Sequence, residues 1–322
     1  MTTREVSVVI PAYNAEHFVI DALESIERQT RLPKEVLIIN DGSTDKTFDF
    51  VQEWISARDH GFPIHLFSQN NQGLPATRNF GIRQATGRWI ALLDADDIWE
   101  SCHIEELLSA LESAPSAIAA YGAGRLLVGT VVNDVLYDDF WDNPSKKFGK
   151  KIDPTSYLSI ERNIFSRLIH GNFIKPSSLI FSKQVAIDIG CFDESLRTGE
   201  DREFLVRLLF KGTFVYSSVP ITRYRWHDDN ISQTKNAKRN MENGLRALKK
   251  IITNNTLELD YSQNEACLTE IRSAINAYLY VCARSAWREY INGVKVVSEL
   301  FNRWTAALAL RPKHIVRSIF PH

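Results

Sequence analysis

Four apolar runs alternate with stretches of helical periodicity over the first hundred residues, and no other feature restricts the fold as much. Residues 6–10, 36–39, 64–67 and 89–93 read as strands. Between them, residues 15–29 carry Phe18, Ala22, Leu23 and Ile26 at helical spacing. Residues 45–57 place Phe48, Val51 and Ile55 on one face, and residues 74–85 complete a third helix. A βαβαβαβ order implies an α/β fold with a mostly parallel, Rossmann-like sheet flanked by helices on both faces. Ligands of such sheets bind beyond the carboxyl ends of the strands. Three polar loops fall at that edge: Pro11-Ala12-Tyr13-Asn14, Asn40-Asp41-Gly42-Ser43-Thr44 and Asp94-Ala95-Asp96-Asp97.

The rest of the chain is less regular. Residues 121–132 suggest strand, and the charged, aromatic segment 134–153 reads as a loop. A strand-then-helix pattern resumes over 177–189, a helix is expected over 198–211, and 214–224 looks like a final strand interrupted by Pro220. From about residue 238 the pattern is helical and strand-poor, with Met241, Leu245, Leu248 and Ile252 at helical spacing, then Leu268, Ile271, Ile275, Tyr278 and Cys282. A division near residue 230 follows: an α/β domain over 1–230 and a helical region over 231–322. The formal charge of −1 argues against a general nucleic-acid partner. No run of eighteen apolar residues predicts a transmembrane helix, and residues 1–5 lead into a strand without a signal-peptide core. The four cysteines fit neither a zinc spacing nor a disulfide framework, so a reducing cytoplasm is expected.

The aspartate cluster carries the most chemistry. Paired carboxylates at the end of a buried strand are costly to desolvate without a cation. If strand geometry persists, Asp94 and Asp96 project to one side and suit Mg²⁺ or Mn²⁺ shared with a substrate's phosphates. The plainer alternative is an acidic turn capping the next helix. Asp41 faces the crevice in one reading, accepting from a base or a ribose; in the other, Asp41-Gly42 is an ordinary turn. Arg78 shares a stripe with Leu74, Ile82 and Ala85, where a guanidinium needs an anion. A phosphate would serve, as would Asp94 or Asp96. Thr198 and Asp201 have capping-box spacing, yet Asp201 also heads a stripe with Leu205 and Leu208, a setting that suits a general base. His227 follows the last strand as a possible metal or diphosphate contact, or as a structural histidine.

Taken together these segments resemble glycosyltransferase family 2, the inverting nucleotide-sugar transferases with the GT-A fold. The resemblance runs in order through Val6–Asn14, Asn40–Asp45, Asn71-Gln72-Gly73 with Ala76–Asn79, Asp94–Asp97, Gly190–Glu194 and Gly199-Glu200-Asp201. It covers about residues 4–230, with 1–100 as the nucleotide-binding half and 101–230 as the acceptor half. It implies that Pro11, Ala12, Tyr13 and Asn14 border the nucleotide, that Asp41 binds the base, and that Arg78 neighbours base and diphosphate. Asp94 and Ala95 would contact the donor, Asp96 would ligate Mn²⁺ or Mg²⁺ with His227 nearby, and Asp201 would be the catalytic base. The implied donor is a nucleotide-diphosphate sugar, a UDP-sugar first, and the implied acceptor a glycan or lipid-linked sugar of bacterial surface polysaccharide. The processive family members' Gln-x-x-Arg-Trp motif is missing, which implies single-sugar transfer. A silent nucleotide-sugar-binding copy of the fold would have no need of Asp94, Asp96 and Asp201 together. A nucleotidyltransferase would carry a glycine-rich basic loop after the first strand, unlike residues 11–16 here.

The resemblance leaves residues 238–322 unexplained. From 285 to 322, Arg288, Lys295, Arg303, Arg311, Lys313 and Arg317 face only Glu289 and Glu299, among aromatic and aliphatic side chains. Such a basic amphipathic segment suits the cytoplasmic face of a membrane as a peripheral contact. It equally suits a helical cap or a dimer contact.

Overall fold

The computed structural model describes residues 5–136, 143–228, 230, 236–285 and 287–309. Its first half repeats the expected alternation: β1 (Val6–Ala12), α1 (Val19–Glu27), β2 (Glu35–Asn40), α2 (Thr47–Ser56), β3 (Ile64–Ser68), α3 (Leu74–Gln84) and β4 (Trp89–Leu92). These four strands are parallel, in the order β3-β2-β1-β4. The order reverses at β1, so a crevice opens between the carboxyl ends of β1 and β4, the usual ligand position in an open α/β sheet.

The second half is mixed. Two-residue β5 (Ile98–Trp99) leads into α4 (His103–Ser113), then β6 (Ala119–Val128) and β7 (Val131–Leu136), which form a hairpin through Gly129. Short α5 (Ser145–Phe148), β8 (Lys150–Lys151), β9 (Leu158–Ile160) and α6 (Phe165–His170) follow. Next come β10 (Leu179–Ser182), α7 (Lys183–Asp188), α8 (Glu200–Leu209) and β11 (Phe214–Trp226). β10 lies antiparallel between β4 and β6, and β11 pairs with β6 in parallel. At Pro220 the β6–β11 register shifts, as expected where a residue cannot donate to the ladder. The chain continues as α9 (Ala237–Thr253), α10 (Tyr261–Ser285) and α11 (Trp287–Ala309).

Strand side chains alternate between two cores. Val8, Ile10, Val36, Ile38, Ala91 and Leu93 pack with α1, α2 and α4. Val9, Leu37, Ile39, Ile90 and Leu92 pack with α3, α6, α8 and the C-terminal helices. Gly81 makes the α3 contact possible: a Cβ there would lie 2.4 Å from Val9 Cγ1 and 2.9 Å from Ile39 Cδ1. The described part of α11 turns Tyr290, Val294, Val297, Leu300 and Phe301 into the second core, at helical spacing. Its apolar stripe is thus used within the molecule. Residues 310–322 and the side chains of Arg303, Trp304 and Leu308, which carry much of the membrane expectation, lie outside the described residues. Among the described residues no helix is long and apolar enough to cross a membrane. All four cysteines are free, with Cys191, Cys267 and Cys282 buried.

Candidate active site

The three polar loops meet at the carboxyl edge of the parallel strands. Pro11 and Ala12 end β1, and Ala12 is buried. Tyr13 is 51 % exposed, and Asn14 takes a left-handed φ of 48°, a conformation asparagine tolerates better than most residues. Asn14 Oδ1 accepts from Thr44 N at 2.9 Å while its own N–H donates to Ser43 Oγ at 3.1 Å. The first two loops are thereby stitched into one rim.

Asp41 is 3 % exposed. Its Oδ1 accepts from Gln69 Nε2 and Gln72 N, each at 2.8 Å, and its Oδ2 accepts from Gly73 N at 2.9 Å. A carboxylate has about four acceptor positions, so Asp41 organises residues 69–73 and keeps one position. Gly42 must be glycine here: its φ is +70°, and a Cβ would come within 2.8 Å of Asn71 N.

The strand geometry of β4 does not persist through the aspartates. Asp97 N donates to Asp94 O at 3.0 Å, closing a turn over Ala95 and Asp96. Asp94 and Asp96 nevertheless remain about a quarter exposed while Ala95 and Asp97 are buried. Asp97 is a structural carboxylate that sequence reasoning gave no role. It accepts from Ser177 Oγ at 2.5 Å and from Arg225 N at 3.0 Å, tying the loop to β11. Burial, reinforced by Asp96 and Asp94, holds its pKa well above the usual carboxylate range.

Arg78 is 1 % exposed and bridges two carboxylates: Nη2 to Asp94 Oδ1 at 2.7 Å and Nη1 to Glu200 Oε1 at 3.0 Å. Asp94 was among the anions expected for it, whereas Asp96 pairs elsewhere. Glu200 is the partner that sequence reasoning missed, 122 positions away. Burial and the adjacent Asp201 push Glu200 up to about 8, against the pull of Arg78. Burial works against the charge on Arg78, but Asp94 and Glu200 outweigh it and raise its pKa.

Asp201 lies in the first turn of α8, half-buried, behind Gly199 in the left-handed conformation at φ 81°. The Thr198 side chain makes no capping hydrogen bond, so the capping-box alternative is not realised. Asp201 Oδ2 accepts from Asn172 Nδ2 at 2.6 Å, and Oδ1 accepts from Arg202 N at 2.7 Å. Asn172 sits in the connection after α6, where no sequence pattern singled it out.

His227 follows β11, and its Nε2 lies 3.0 Å from Asp96 Oδ2. Its ring packs on Phe18 at 4.5 Å, and its backbone N–H donates to Asn230 Oδ1 at 2.6 Å. Among the described residues no group of three or more His, Cys, Asp or Glu is gathered as a metal cage. One carboxylate and one imidazole form an open pair, which fits Mn²⁺ or Mg²⁺ when diphosphate oxygens and water complete the shell.

A sheet with its switch point at β1, an acidic turn beyond β4 and a second carboxylate at a helix start define a GT-A-type nucleotide-sugar transferase fold. Residues 7–157 match the Glycosyl transferase family 2 model. Over those residues, just under half of the chain, it is similar to that family of glycosyltransferases. It is 28 % identical over 290 residues to EpsH of Bacillus subtilis (strain 168), provisionally named a glycosyltransferase, covering 89 % of this chain and 79 % of that one. In structure it resembles S. aureus TarS 1–349 in complex with UDP, with a TM-score of 0.63, 17 % identity, and 98 % and 87 % of the two chains covered. It also resembles the mannosyltransferase PcManGT of Pyrobaculum calidifontis in complex with GDP-Man and Mn²⁺, with a TM-score of 0.59, 15 % identity, and 99 % and 87 % covered.

Proposed function

We propose that this chain is an inverting, metal-dependent transferase that moves one sugar from a nucleoside diphosphate donor to a glycan or lipid-linked acceptor in polysaccharide assembly. Residues 1–230 form its catalytic domain, and residues 231–322 are appended helices. The observation that carries the reading is the Asp94–Arg78–Glu200 bridge, which brings the acidic turn after β4 to the helix that presents Asp201. TarS with UDP and PcManGT with GDP-Man support a nucleotide-sugar donor, and UDP is the first nucleotide to test.

Pro11, Ala12, Tyr13 and Asn14 border the nucleotide, and Asp41 reads the base with its remaining acceptor position. Asp94 and Ala95 contact the donor's ribose side. Arg78 balances the charge of Asp94 close to the diphosphate. Asp96 and His227 would hold the metal, which supplies positive charge to the departing diphosphate. Asp201, kept in place by Asn172, removes the proton of the acceptor hydroxyl. The hydroxyl oxygen attacks the anomeric carbon as the bond to the nucleoside diphosphate breaks. Attack opposite the leaving group inverts the anomeric configuration, through an oxocarbenium-like transition state and without a covalent intermediate.

Calorimetry with UDP-glucose, UDP-galactose, UDP-GlcNAc and GDP-mannose, with and without Mn²⁺, tests the reading. Mn²⁺-dependent binding of one donor is expected. A folded sample that binds none of them would favour a silent copy of the fold.

A further inference from the structure

One residue of the catalytic helix, Arg202, hydrogen-bonds to a helix that follows β11. Its backbone N–H donates to Asp201 Oδ1, while its guanidinium points the other way. Nη1 donates to Ile169 O at the end of α6 at 3.0 Å, and Nη2 donates to Gly244 O in the middle of α9 at 3.1 Å. Nε is buried without a partner among the described residues. Among the described residues no carboxylate hydrogen-bonds to this guanidinium. Burial pushes its pKa down, opposed by Asp201 and by Glu270 of α10. An arginine desolvated for two main-chain carbonyls is an expensive fastener, and here it joins α6, α8 and α9.

The backbones at this junction are also unusually close. A Cβ on Gly199, the residue before α8, would lie 3.3 Å from Ala247 Cβ and 3.9 Å from Gly244 Cα. A Cβ on Gly244 would lie 3.3 Å from Arg202 Nη2. Further along, Lys250 of α9 pairs with Asp193 and donates to Ser195 Oγ at 2.7 Å, in the loop before α8. Glu270 of α10 accepts from His170 Nδ1 of α6 at 2.7 Å. Leu245, Leu248 and Ile251 share a core with Phe204, Leu205 and Leu208 of α8.

We infer that α9 is part of the catalytic unit: through Gly244 and the positioning residue Arg202 it fixes the first turn of α8 and thereby the aim of Asp201. The inference rests on the reading of Asp201 as the base. Catalytic groups lose rate steeply when misplaced by even an ångström, so the fastener should act on turnover and not on donor affinity.

The test uses the full chain with Arg202→Met, Arg202→Lys, Gly244→Ala and the control Lys250→Ala. The amide of residue 202 is a direct reporter, because Asp201 itself accepts its hydrogen bond. Hydrogen exchange at that amide should speed up at least about tenfold in Arg202→Met, with amides of β1 and β4 unchanged. With the donor chosen by calorimetry, release of nucleoside diphosphate should show kcat lowered at least about tenfold and the donor KM within about twofold. Arg202→Lys, which reaches one carbonyl, should recover part of the rate. Gly244→Ala, which keeps Arg202 and displaces its guanidinium by a few tenths of an ångström, should give a smaller loss of the same kind. Lys250→Ala should match the parent. A folded Arg202→Met protein whose residue 202 amide stays protected overturns the inference, as does a loss of kcat matched by an equal rise in KM. If Arg202→Met does not fold, Gly244→Ala decides on the same two readings. Normal turnover in Asp201→Asn would instead overturn the base assignment, and the exchange result would stand apart from it.

Discussion

At the scale of single residues, Asp94 and Asp96 differ in what holds them. Arg78 binds Asp94 through a buried ion pair, whereas Asp96 faces His227 across 3.0 Å. Asp96→Ala should therefore remove the Mn²⁺ dependence of donor binding; an unchanged Mn²⁺ titration would reassign the metal. Asp201→Asn should lower kcat by at least about a hundredfold while leaving donor binding within a few-fold, as loss of a general base predicts. Near-normal turnover would disprove its role. Arg78→Met should cost about 1–3 kcal/mol in urea unfolding, because partly exposed Asp94 and buried Glu200 both lose their hydrogen-bond donor. The aspartates, Asp41, Arg78 and His227 were legible in the sequence because each stands at a recognisable point of a local pattern. Glu200 as the mate of Arg78, Asn172 as the support of Asp201 and Ser177 as the support of Asp97 were not. Those partnerships join residues 29 to 122 positions apart, and no periodicity records them.

At the scale of elements, the parallel half of the sheet could be read from the sequence, since each strand and helix is amphipathic or apolar on its own account. The antiparallel insertion of β10 between β4 and β6 could not, because strand direction and neighbour depend on distant pairing. Nor could the β6–β7 hairpin, whose exposed Val131 and Val135 break the alternation expected of a half-buried strand. Helix α3 offers a test of packing against propensity. Gly81→Ala gains about 1 kcal/mol of helix propensity. Its methyl group, however, would fall 2.4 Å from Val9 Cγ1, and overpacking of this kind costs about 1–3 kcal/mol. The variant should unfold at a lower urea concentration than the parent; a higher midpoint would mean that α3 shifts freely over β1.

At the scale of the whole molecule, buried titrating groups set opposing slopes of stability with pH. His103 stacks on Trp99, is fully buried, and is pushed down to about 3 by burial. The unfolded chain binds its proton near pH 6.5 and the folded chain does not, so stability falls as the pH drops from 6.5 towards 3. Glu200 works in reverse. Its folded form keeps a proton up to about 8, so stability falls as the pH climbs from about 4.5 to 8, and Asp97 adds to that fall. Glu200→Gln should reduce the alkaline slope by about one proton, on the order of 1 kcal/mol per pH unit. An unaltered slope would mean that Glu200 is ionised in the folded protein. The four free thiols have a further consequence. Burial raises the pKa of each, that of Cys267 to about 11. Thiolate is the reactive form, so alkylation of the buried cysteines must wait for the chain to open around them. Cys267 and Cys282 lie in α10, while Cys191 lies just ahead of the catalytic helix. The molecule thus carries two sets of clocks, and their relative labelling rates tell whether the appended helices breathe alone or only when the catalytic core does.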